Sequence, residues 1–316
     1  MKDNKIVVTS VAFSKNQYLR QMLHSHFKYV IFNDSLNRLK KKDLKEILRD
    51  AVGAIVGLDE INEDILKEAK NLKVISKYGV GLNNINFKAT NQHGVTVVYS
   101  QGINKRSVSE LALGNILSLM RNSYITSNKL KKQEWDKNGG IQLTGKNVGI
   151  IGVGNIGKDL ISILKPFNCT IFVNDIIQQD EYYKENNLIK ATKEEIYKEC
   201  DIVTIHTPLT ELTKGIINKN VFTMMKNAAY FINTARGEIV IQEDLKYALK
   251  NSIIAGAAID VYSEEPPQDQ EFISLPNLIC TPHIGGNAKE AVLAMGECAV
   301  KNLIDYFLKE KIFLLK

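Results

Sequence analysis

Short apolar segments typical of buried strands alternate, in two successive series, with segments of helical periodicity. The first series places strands near residues 6–11, 30–32, 54–56, 74–76 and 95–98. The second series places strands near residues 148–151, 170–173, 202–205, 230–232 and 255–259. Strands that alternate with helices predict parallel sheets with helices packed on their faces. The sequence therefore predicts an α/β fold built from two such sheets.

The length of the chain and its last helical segment predict two domains, one inserted into the other. At 316 residues the chain exceeds the size at which a single hydrophobic core usually stops growing. The last helical pattern, at residues 289–308, is long enough to return to the first sheet. We expect one domain to comprise residues 1–100 and 288–316, and the other residues 101–287.

The charge balance argues against nucleic acid as a partner. The chain has 41 Lys and Arg against 35 Asp and Glu, and the resulting net charge of +6 is spread along its length. The densest basic cluster, residues 40–42, is followed at once by Asp43, which is typical of a solvated helix face. A mild positive balance is compatible with anionic small substrates.

The cysteines and the apolar segments predict a cytoplasmic protein. The four cysteines, at positions 169, 200, 280 and 298, form no C-x-x-C pair, so neither a disulfide framework nor a metal site is expected. No stretch reaches the roughly 18 apolar residues that a membrane span needs, and the first residues lack the features of a cleaved signal peptide.

A glycine-rich turn follows the first strand of the second series. Gly152, Gly154 and Gly157 form a G-x-G-x-x-G pattern between the strand at 148–151 and a helical pattern at 156–164. The first glycine permits a tight turn, the second lets a pyrophosphate approach the backbone, and the third lets helix and strand pack closely. Because both flanking elements are of the expected type, the motif predicts a dinucleotide site.

Asp175 predicts which dinucleotide is bound. It ends the next strand, 18 residues after Gly157, where a carboxylate accepts hydrogen bonds from the ribose hydroxyls of NAD. A 2′-phosphate at that place would bring like charges to about 4 Å, a penalty of about 1 to 4 kcal/mol. Ile176 and Ile177 follow and supply no arginine to neutralise such a phosphate. The sequence therefore favours NAD over NADP.

Arg236, Glu265 and His283 lie where later strands are expected to end. Taken singly, each has an ordinary structural interpretation: a domain salt bridge, a loop cap before Pro266, and a loop histidine with satisfied hydrogen bonds. Together they would suit a redox reaction on a 2-hydroxy acid. A guanidinium pairs with a carboxylate at two points, and an imidazole beside a carboxylate can exchange the hydroxyl proton while a hydride moves.

A capping-box pattern at residues 107–110 predicts that a helix begins with Ser107 as its cap. The apolar stripe that follows, which includes Leu111 and Ile116, is first a packing face. A subunit contact is its second possible use.

An ordered series of motifs between residues 74 and 290 resembles the NAD-dependent D-isomer-specific 2-hydroxyacid dehydrogenases, within which it is similar to the phosphoglycerate dehydrogenase-like branch. The motifs lie at residues 78–85, 145–157, 206–210, 233–237, 260–266 and 281–286. The resemblance implies two doubly wound parallel-sheet lobes: a flavodoxin-like substrate domain and an inserted Rossmann dinucleotide-binding domain. It also implies a homodimer, formed through the helix near Ser107.

The resemblance assigns roles to single residues. It implies that Arg236 binds the substrate carboxylate, that His283 is the acid/base, and that Glu265, which directly precedes a proline, pairs with His283. The implied cofactor contacts are Gly152, Gly154, Asn155, Ile156, Gly157, Asp175, His206, Thr207, Pro208, Thr234, Ala235, Asp260 and Gly285. The implied substrate contacts, besides Arg236, are Lys77, Tyr78, Val80 and Gly81.

Three departures from the family pattern stand out. Asn83 replaces the usual aspartate after the glycine loop, which removes a charge. Val80 stands where similar phosphite-oxidising enzymes carry a lysine, so that reaction is disfavoured. The chain ends at Lys316, so we expect no C-terminal regulatory domain and no serine feedback through one.

The substrate is predicted less sharply than the cofactor. D-3-phosphoglycerate is the first candidate, because Lys77 stands where similar phosphoglycerate enzymes often have a basic residue and, with Lys105 or Arg106, would meet a phosphate. Lys77 as a solvated lysine at the end of a strand is the competing interpretation. Glyoxylate or hydroxypyruvate reduction and D-lactate-type activity stay open, as does an NAD-sensing, corepressor-like binding protein that catalyses nothing.

Overall fold

The computed structural model describes residues 3–35 and 37–314, with side chains described up to residue 309. The chain divides into two compact units: Met1–Asn104 with Asn287–Lys316 forms the first, and Lys105–Gly286 forms the second. These units divide after Asn104 and after Gly286, whereas the domain boundaries expected from the sequence were after residue 100 and before residue 288. Residues 1, 2, 36, 315 and 316 of the predicted substrate domain lie outside the described residues.

The first unit is built on a parallel sheet of five strands. These are β1 (Lys5–Val8), β2 (Tyr29–Phe32), β3 (Gly53–Val56), β4 (Val74–Lys77) and β5 (Thr96–Val98). Its helices are α1 (Val11–Lys15), α2 (Gln17–His26), α3 (Lys41–Leu48), α4 (Glu63–Leu66), α5 (Phe87–Gln92) and the last helix of the chain, α14 (Lys289–Leu314). The strand order β2-β1-β3-β4-β5 is the flavodoxin-like order.

Helices cover both faces of this first sheet, and successive residues of the inner strand β1 point to opposite faces. Ile6 packs on one face with Phe307 of α14. Val7, the next residue, packs on the other face with Leu48 of α3. The C-terminal helix therefore belongs to the core of the first unit.

The second unit is built on a parallel sheet of seven strands. These are β6 (Asn147–Ile151), β7 (Thr170–Asn174), β8 (Ile189–Lys190), β9 (Ile202–Ile205), β10 (Tyr230–Asn233), β11 (Gly256–Ile259) and β12 (Leu278–Cys280). Its helices are α6 (Lys105–Met120), α7 (Ser123–Lys131), α8 (Asn155–Leu164), α9 (Asp180–Glu185), α10 (Lys193–Glu199), α11 (Lys219–Met224), α12 (Gln242–Lys250) and α13 (Gln270–Ile273), with 3-10 turns at Lys165–Phe167 and Gly237–Ile239.

The strand order of the second sheet is β12-β11-β10-β9-β6-β7-β8, which reverses between β6 and β9 as in the Rossmann fold. Separate apolar clusters cover its two faces: Ile150 belongs to one and Ile151 to the other. The predicted fold class, with a flavodoxin-like and a Rossmann sheet, is confirmed. The sequence did not predict β8, whose two residues, both exposed, are too few to show a strand periodicity.

The predicted start of α6 was wrong. The helix begins at Lys105, and the Ser107 hydroxyl donates a hydrogen bond to the carbonyl oxygen of Gly285 at 2.6 Å instead of capping the helix. Arg106, in the first turn of the helix, forms a two-point ion pair with Asp159 of α8 at 2.8 and 3.1 Å. These partners are distant in sequence, so the local pattern at residues 107–110 could not reveal them.

Candidate active site

The glycine turn between β6 and α8 has the close contacts that its motif predicts. Gly152 has a φ of +98°, and a Cβ atom there would lie 2.7 Å from the backbone of His206. A Cβ atom at Gly157 would lie 2.2 Å from the carbonyl oxygen of Gly152, so only a glycine lets α8 pack this closely on the turn. A Cβ atom at Gly154 would meet nothing within 4 Å, so this glycine borders open space.

The N-terminus of α8 offers an anion site. Gly154 is the N-cap of this ten-residue helix and provides no side-chain hydrogen bond to the first turn. The leading N–H groups of a helix attract negative charge, together with the helix dipole. Asn155 and Ile156, the first two residues of α8, therefore stand where the pyrophosphate of a dinucleotide would bind.

Asp175 follows β7 directly and holds the glycine turn. Its Oδ2 atom accepts a hydrogen bond from the N–H of Val153 at 2.6 Å, and its Oδ1 atom accepts one from the N–H of Ile177 at 2.8 Å. Ile176 and Ile177 are 91% and 65% exposed. The carboxylate that would bind the ribose is thus fixed by the same loop that would bind the pyrophosphate.

Unsatisfied polar atoms mark the carboxyl edge of the second sheet. Within the described residues, the Thr207 and Thr234 hydroxyls and the Nδ1 atom of His206 are buried without a hydrogen-bond partner. His206 and Thr207 follow β9, which is next to β6 and its glycine turn, and Thr234 follows β10, the next strand in the sheet. Native proteins rarely leave buried polar atoms unpaired, so these positions fit a polar ligand such as NAD.

His206 is buried, and its imidazole is neutral near pH 7. Burial lowers the pKa of its imidazole to about 4, because the charged form would lose its hydration. Its Nε2 atom lies 2.9 Å from the hydroxyl of Thr204, within β9. The side chain therefore serves the packing around the glycine turn, and its charge plays no part near neutral pH.

The three residues assigned to catalysis follow three neighbouring strands. Arg236 comes after β10, Glu265 lies in the loop after β11, and His283 comes after β12. Because β10, β11 and β12 are adjacent and parallel, their carboxyl ends lie at one edge of the sheet. Asn233, the last residue of β10, anchors Arg236 by donating from its side-chain amide to the Arg236 carbonyl oxygen at 2.9 Å.

His283 and Glu265 are paired directly. The Nδ1 atom of His283 lies 2.8 Å from Oε2 and 3.0 Å from Oε1 of Glu265, and the two side chains are 45% and 39% exposed. The backbone N–H of Tyr262 donates to the same carboxylate at 3.2 Å. An imidazole held through Nδ1 presents its Nε2 atom for proton exchange.

Asp260 binds the loop that carries His283. Its carboxylate, in a residue 1% exposed, accepts hydrogen bonds from the Thr281 hydroxyl at 2.6 Å and from the N–H groups of Ile284 and Gly285 at 2.8 and 2.7 Å. The sequence assigned Asp260 to the cofactor and missed this role. Within the second unit, the observed contacts of its carboxylate are with the histidine loop.

The predicted substrate contacts of the first unit lie at the end of β4. Lys77 is 4% exposed and donates from its ammonium to the carbonyl oxygen of Gly57. The competing interpretation of Lys77 as a solvated lysine at the end of a strand is therefore wrong. The Tyr78 ring lies in the core and its hydroxyl donates to the Val292 carbonyl oxygen at 3.3 Å, so only its backbone stays available to a substrate. Val80 and Gly81 are half-buried.

Arg106 was named, as an alternative to Lys105, for contact with a substrate phosphate, and within the second unit it has a carboxylate partner. Its guanidinium is engaged by Asp159 at both oxygens. Burial alone would raise the pKa of Asp159, but the hydrogen bonds from Arg106 and Ser109 hold it below its ordinary value.

Residues 3–35 and 37–314 contain neither a metal-binding cluster nor a membrane-spanning helix. No group of three or more His, Cys, Asp or Glu is arranged to hold a metal ion there. No helix of this part of the chain has the length and apolar character needed to cross a membrane.

Known proteins resemble the chain over most of its length. Residues 113–285 match the family model of the D-isomer specific 2-hydroxyacid dehydrogenase NAD binding domain. A D-3-phosphoglycerate dehydrogenase of Bacillus subtilis is 35% identical over 83% of this chain and 52% of its own length. YoaD of the same organism, named as a 2-hydroxyacid dehydrogenase, is 32% identical over 89% of this chain and 84% of its own length.

A solved structure matches both units. It is an NAD⁺-bound 3-phosphoglycerate dehydrogenase of Entamoeba histolytica, 27% identical, with a TM-score of 0.77 over 97% of this chain and 96% of that one. By contrast, the chain spans about half the length of several curated D-3-phosphoglycerate dehydrogenases that it matches.

Proposed function

Because the chain belongs to the D-isomer specific 2-hydroxyacid dehydrogenase family, with an NAD-binding domain over residues 113–285, we propose that it catalyses reversible hydride transfer between NAD and a small D-2-hydroxy acid. The observation that carries the proposal is the His283–Glu265 pair, with Nδ1 2.8 Å from a carboxylate oxygen. This pair lies at the edge of the sheet that also holds Arg236, Asp175 and the glycine turn.

Each of the three side chains has a separate task. Bound NAD would supply the acceptor for the hydride. Arg236 would hold the substrate carboxylate at two points and polarise the neighbouring carbon–oxygen bond. His283 would take the hydroxyl proton at Nε2 during oxidation and return it during reduction. Glu265 would favour the charged imidazolium that forms and keep the ring in one orientation.

D-3-phosphoglycerate is the first candidate substrate. Two observations support it: the match to D-3-phosphoglycerate dehydrogenases, and a basic residue, Lys77, beside the glycine loop of the first unit. A second observation favours the smaller substrates glyoxylate and hydroxypyruvate. Lys77 is buried and its ammonium already donates to the Gly57 carbonyl oxygen, so its charge is a poor ligand for a substrate phosphate.

The proposal includes a homodimer formed through α6, α7 and the segment after them. The described structure of α7 contributes no buried residue, and Leu130 and Trp135 are 56% and 80% exposed. Large apolar side chains that are exposed in a single chain often mark subunit contacts. Sedimentation of the protein and of a Trp135→Glu variant would test the assignment: we expect a dimer that the variant weakens.

The activity is tested by NADH depletion with 3-phosphohydroxypyruvate, hydroxypyruvate, glyoxylate, pyruvate and longer 2-oxo acids. We expect turnover with at least one of them, and the ranking of kcat/KM identifies the substrate. If NADH binds and no 2-oxo acid is reduced, the protein is an NAD-sensing binding protein instead. A stable partner protein would then be sought by pull-down.

A further inference from the structure

Asp59 is a buried carboxylate to which the described part of the first unit gives no hydrogen-bond donor. Its side chain is 4% exposed, and its Oδ1 atom is buried without a hydrogen-bond partner. Arg38 approaches this atom only to 4.0 Å with its Nε, which is too far for a hydrogen bond. Because a buried charge without donors is costly, proteins usually supply a partner, and at a cavity the partner can be a ligand.

Asp59 lines such a cavity, with a volume of about 170 Å³. The cavity lies at the carboxyl edge of the first sheet, between the loops that follow β2 and β3. We call it the Asp59 cavity; its lining includes Arg38, Lys41, Leu44, Asp59, Glu60 and Ile65. In parallel α/β sheets, ligands bind at this edge, next to the point where the strand order reverses.

The negative side of the Asp59 cavity is made by Asp59 and Glu60. Glu60 accepts a hydrogen bond from the side-chain amide of Asn62 at 3.0 Å, so its carboxylate is held at the cavity. Asp59 has no such donor. A group that carries several N–H donors and a positive charge would satisfy Asp59 and be attracted by both carboxylates.

The positive side of the same cavity suits a carboxylate. The Arg38 guanidinium, 62% exposed, donates one hydrogen bond to the Leu58 carbonyl oxygen and has further N–H groups. Lys41 also lines the cavity and begins α3, an eight-residue helix whose N-cap makes no side-chain hydrogen bond. Lys41 already pairs with Asp64 at 2.6 Å, so Arg38 and the helix N-terminus are the better anion sites.

We propose that the Asp59 cavity binds a small α-amino acid as its zwitterion. The ammonium group binds at the Asp59 carboxylate, the ligand carboxylate lies against Arg38 and the first turn of α3, and a short side chain packs towards Leu44 and Ile65. The ammonium and carboxylate groups of an α-amino acid lie close together. The two protein groups that would bind them are also close, because Arg38 Nε lies 4.0 Å from Asp59 Oδ1. The proposal does not depend on the activity proposed above.

Other small ligands match the cavity on one side only. A phosphate would pair with Arg38 but be repelled by Asp59 and Glu60. A simple amine would satisfy Asp59 but leave Arg38 without a new partner. An ordered water molecule would also donate to Asp59. If water alone filled the cavity, the protein would bind none of these small molecules more tightly than the others. The amino acid is therefore the occupant that the lining favours.

The test is calorimetric titration of the full chain, without NAD, with glycine and L-serine. Matched probes are acetate, methylammonium chloride and inorganic phosphate at equal ionic strength. Asp59→Asn removes the charge that holds the ammonium group, and Asp50→Asn, at an exposed carboxylate of the same unit, is the control. We expect the amino acids to bind more tightly than any matched probe, with affinity about 10- to 100-fold weaker in Asp59→Asn and unchanged in Asp50→Asn.

A second variant and a melting curve keep the test independent of folding. Arg38→Gln should weaken binding of the amino acids but not of methylammonium. Without ligand, Asp59→Asn should melt at or above the temperature of the unchanged protein, since it removes a buried charge that has no hydrogen-bond donor among the described residues. The proposal is overturned if no amino acid binds, if Asp59→Asn binds it equally well, or if Asp59→Asn melts much earlier because Asp59 holds the fold.

Discussion

The Asp260 carboxylate accepts a hydrogen bond at 2.7 Å from the backbone N–H of Gly285, two residues after His283. A Cβ atom at Gly285 would lie 2.9 Å from the same oxygen, so the contact needs a glycine there. Thr281, two residues before His283, donates to the other oxygen of Asp260 at 2.6 Å. The imidazole is therefore carried by a loop that one buried carboxylate holds on both sides.

Asp260→Asn should loosen this loop. The amide oxygen can still accept from Ile284 and Thr281, but its NH₂ group would face the N–H of Gly285, where two donors cannot pair. We expect a loss of about 1 to 3 kcal/mol in the free energy of unfolding, and faster hydrogen exchange at residues 284 and 285. Exchange rates equal to those of the unchanged protein would show that other contacts hold the loop.

His283→Ala should remove the proton exchange and leave the cofactor site intact. If the proposed function is correct, turnover falls by about 10²- to 10⁴-fold while NADH affinity stays nearly unchanged. Glu265→Gln should give a smaller loss, since the ring keeps a hydrogen-bond acceptor but loses the adjacent charge. Glu264→Gln is the matched control. Full activity of His283→Ala would end the assignment of His283 as acid/base.

Gly154→Ala separates cofactor binding from folding. The added methyl group would meet no protein atom within 4 Å, so the melting temperature should change little. It would occupy the space through which a pyrophosphate approaches the backbone, so NADH affinity should fall at least about 10-fold. Gly114→Ala is the control: it also meets no atom within 4 Å, but it lies within α6. It should raise stability by about 0.5 to 1 kcal/mol and leave NADH binding unchanged.

Asp175→Ser tests the basis of cofactor choice. Removing the carboxylate removes the repulsion of a 2′-phosphate, so the preference for NADH over NADPH should shrink by about five-fold to several hundred-fold. NADH affinity should also fall, because the N–H of Val153 loses its acceptor at 2.6 Å. Asp180→Ser, at a nearby exposed carboxylate, should leave the ratio unchanged. Equal ratios in both variants would place the ribose elsewhere.

The sequence was informative wherever a local pattern reports on a local structure. The two strand–helix series predicted both sheets, and Gly152 to Gly157 predicted the turn that the structure contains. The pairing of His283 with Glu265 was implied by a family resemblance rather than by spacing, because the two residues lie on different loops. Local signals failed where a side chain binds a distant partner.

Three residues show this limit. Ser107 was expected to cap a helix, but its hydroxyl reaches Gly285. Lys77 and Tyr78 are adjacent at the end of β4, and the sequence could not tell that the ammonium folds back onto Gly57 while the ring enters the core. Both outcomes are set by tertiary packing. Asp59 is a further case: among the described residues its carboxylate has no hydrogen-bond donor, and its burial arises only in the folded chain.

His206 should make the protein less stable in acid. Its pKa is lowered from 6.5 to about 4 by burial, so between these values the unfolded chain takes up a proton that the folded chain excludes. The free energy of unfolding should therefore fall as pH decreases through this window, by about 3 kcal/mol from this residue alone. Urea unfolding at about pH 7 and about pH 4.5 measures the loss. In His206→Gln, the loss of unfolding free energy between these two pH values should be smaller by most of that amount. In His24→Gln, at an exposed histidine, the loss should equal that of the unchanged protein. An equal loss in all three proteins would mean that His206 is protonated in the folded state.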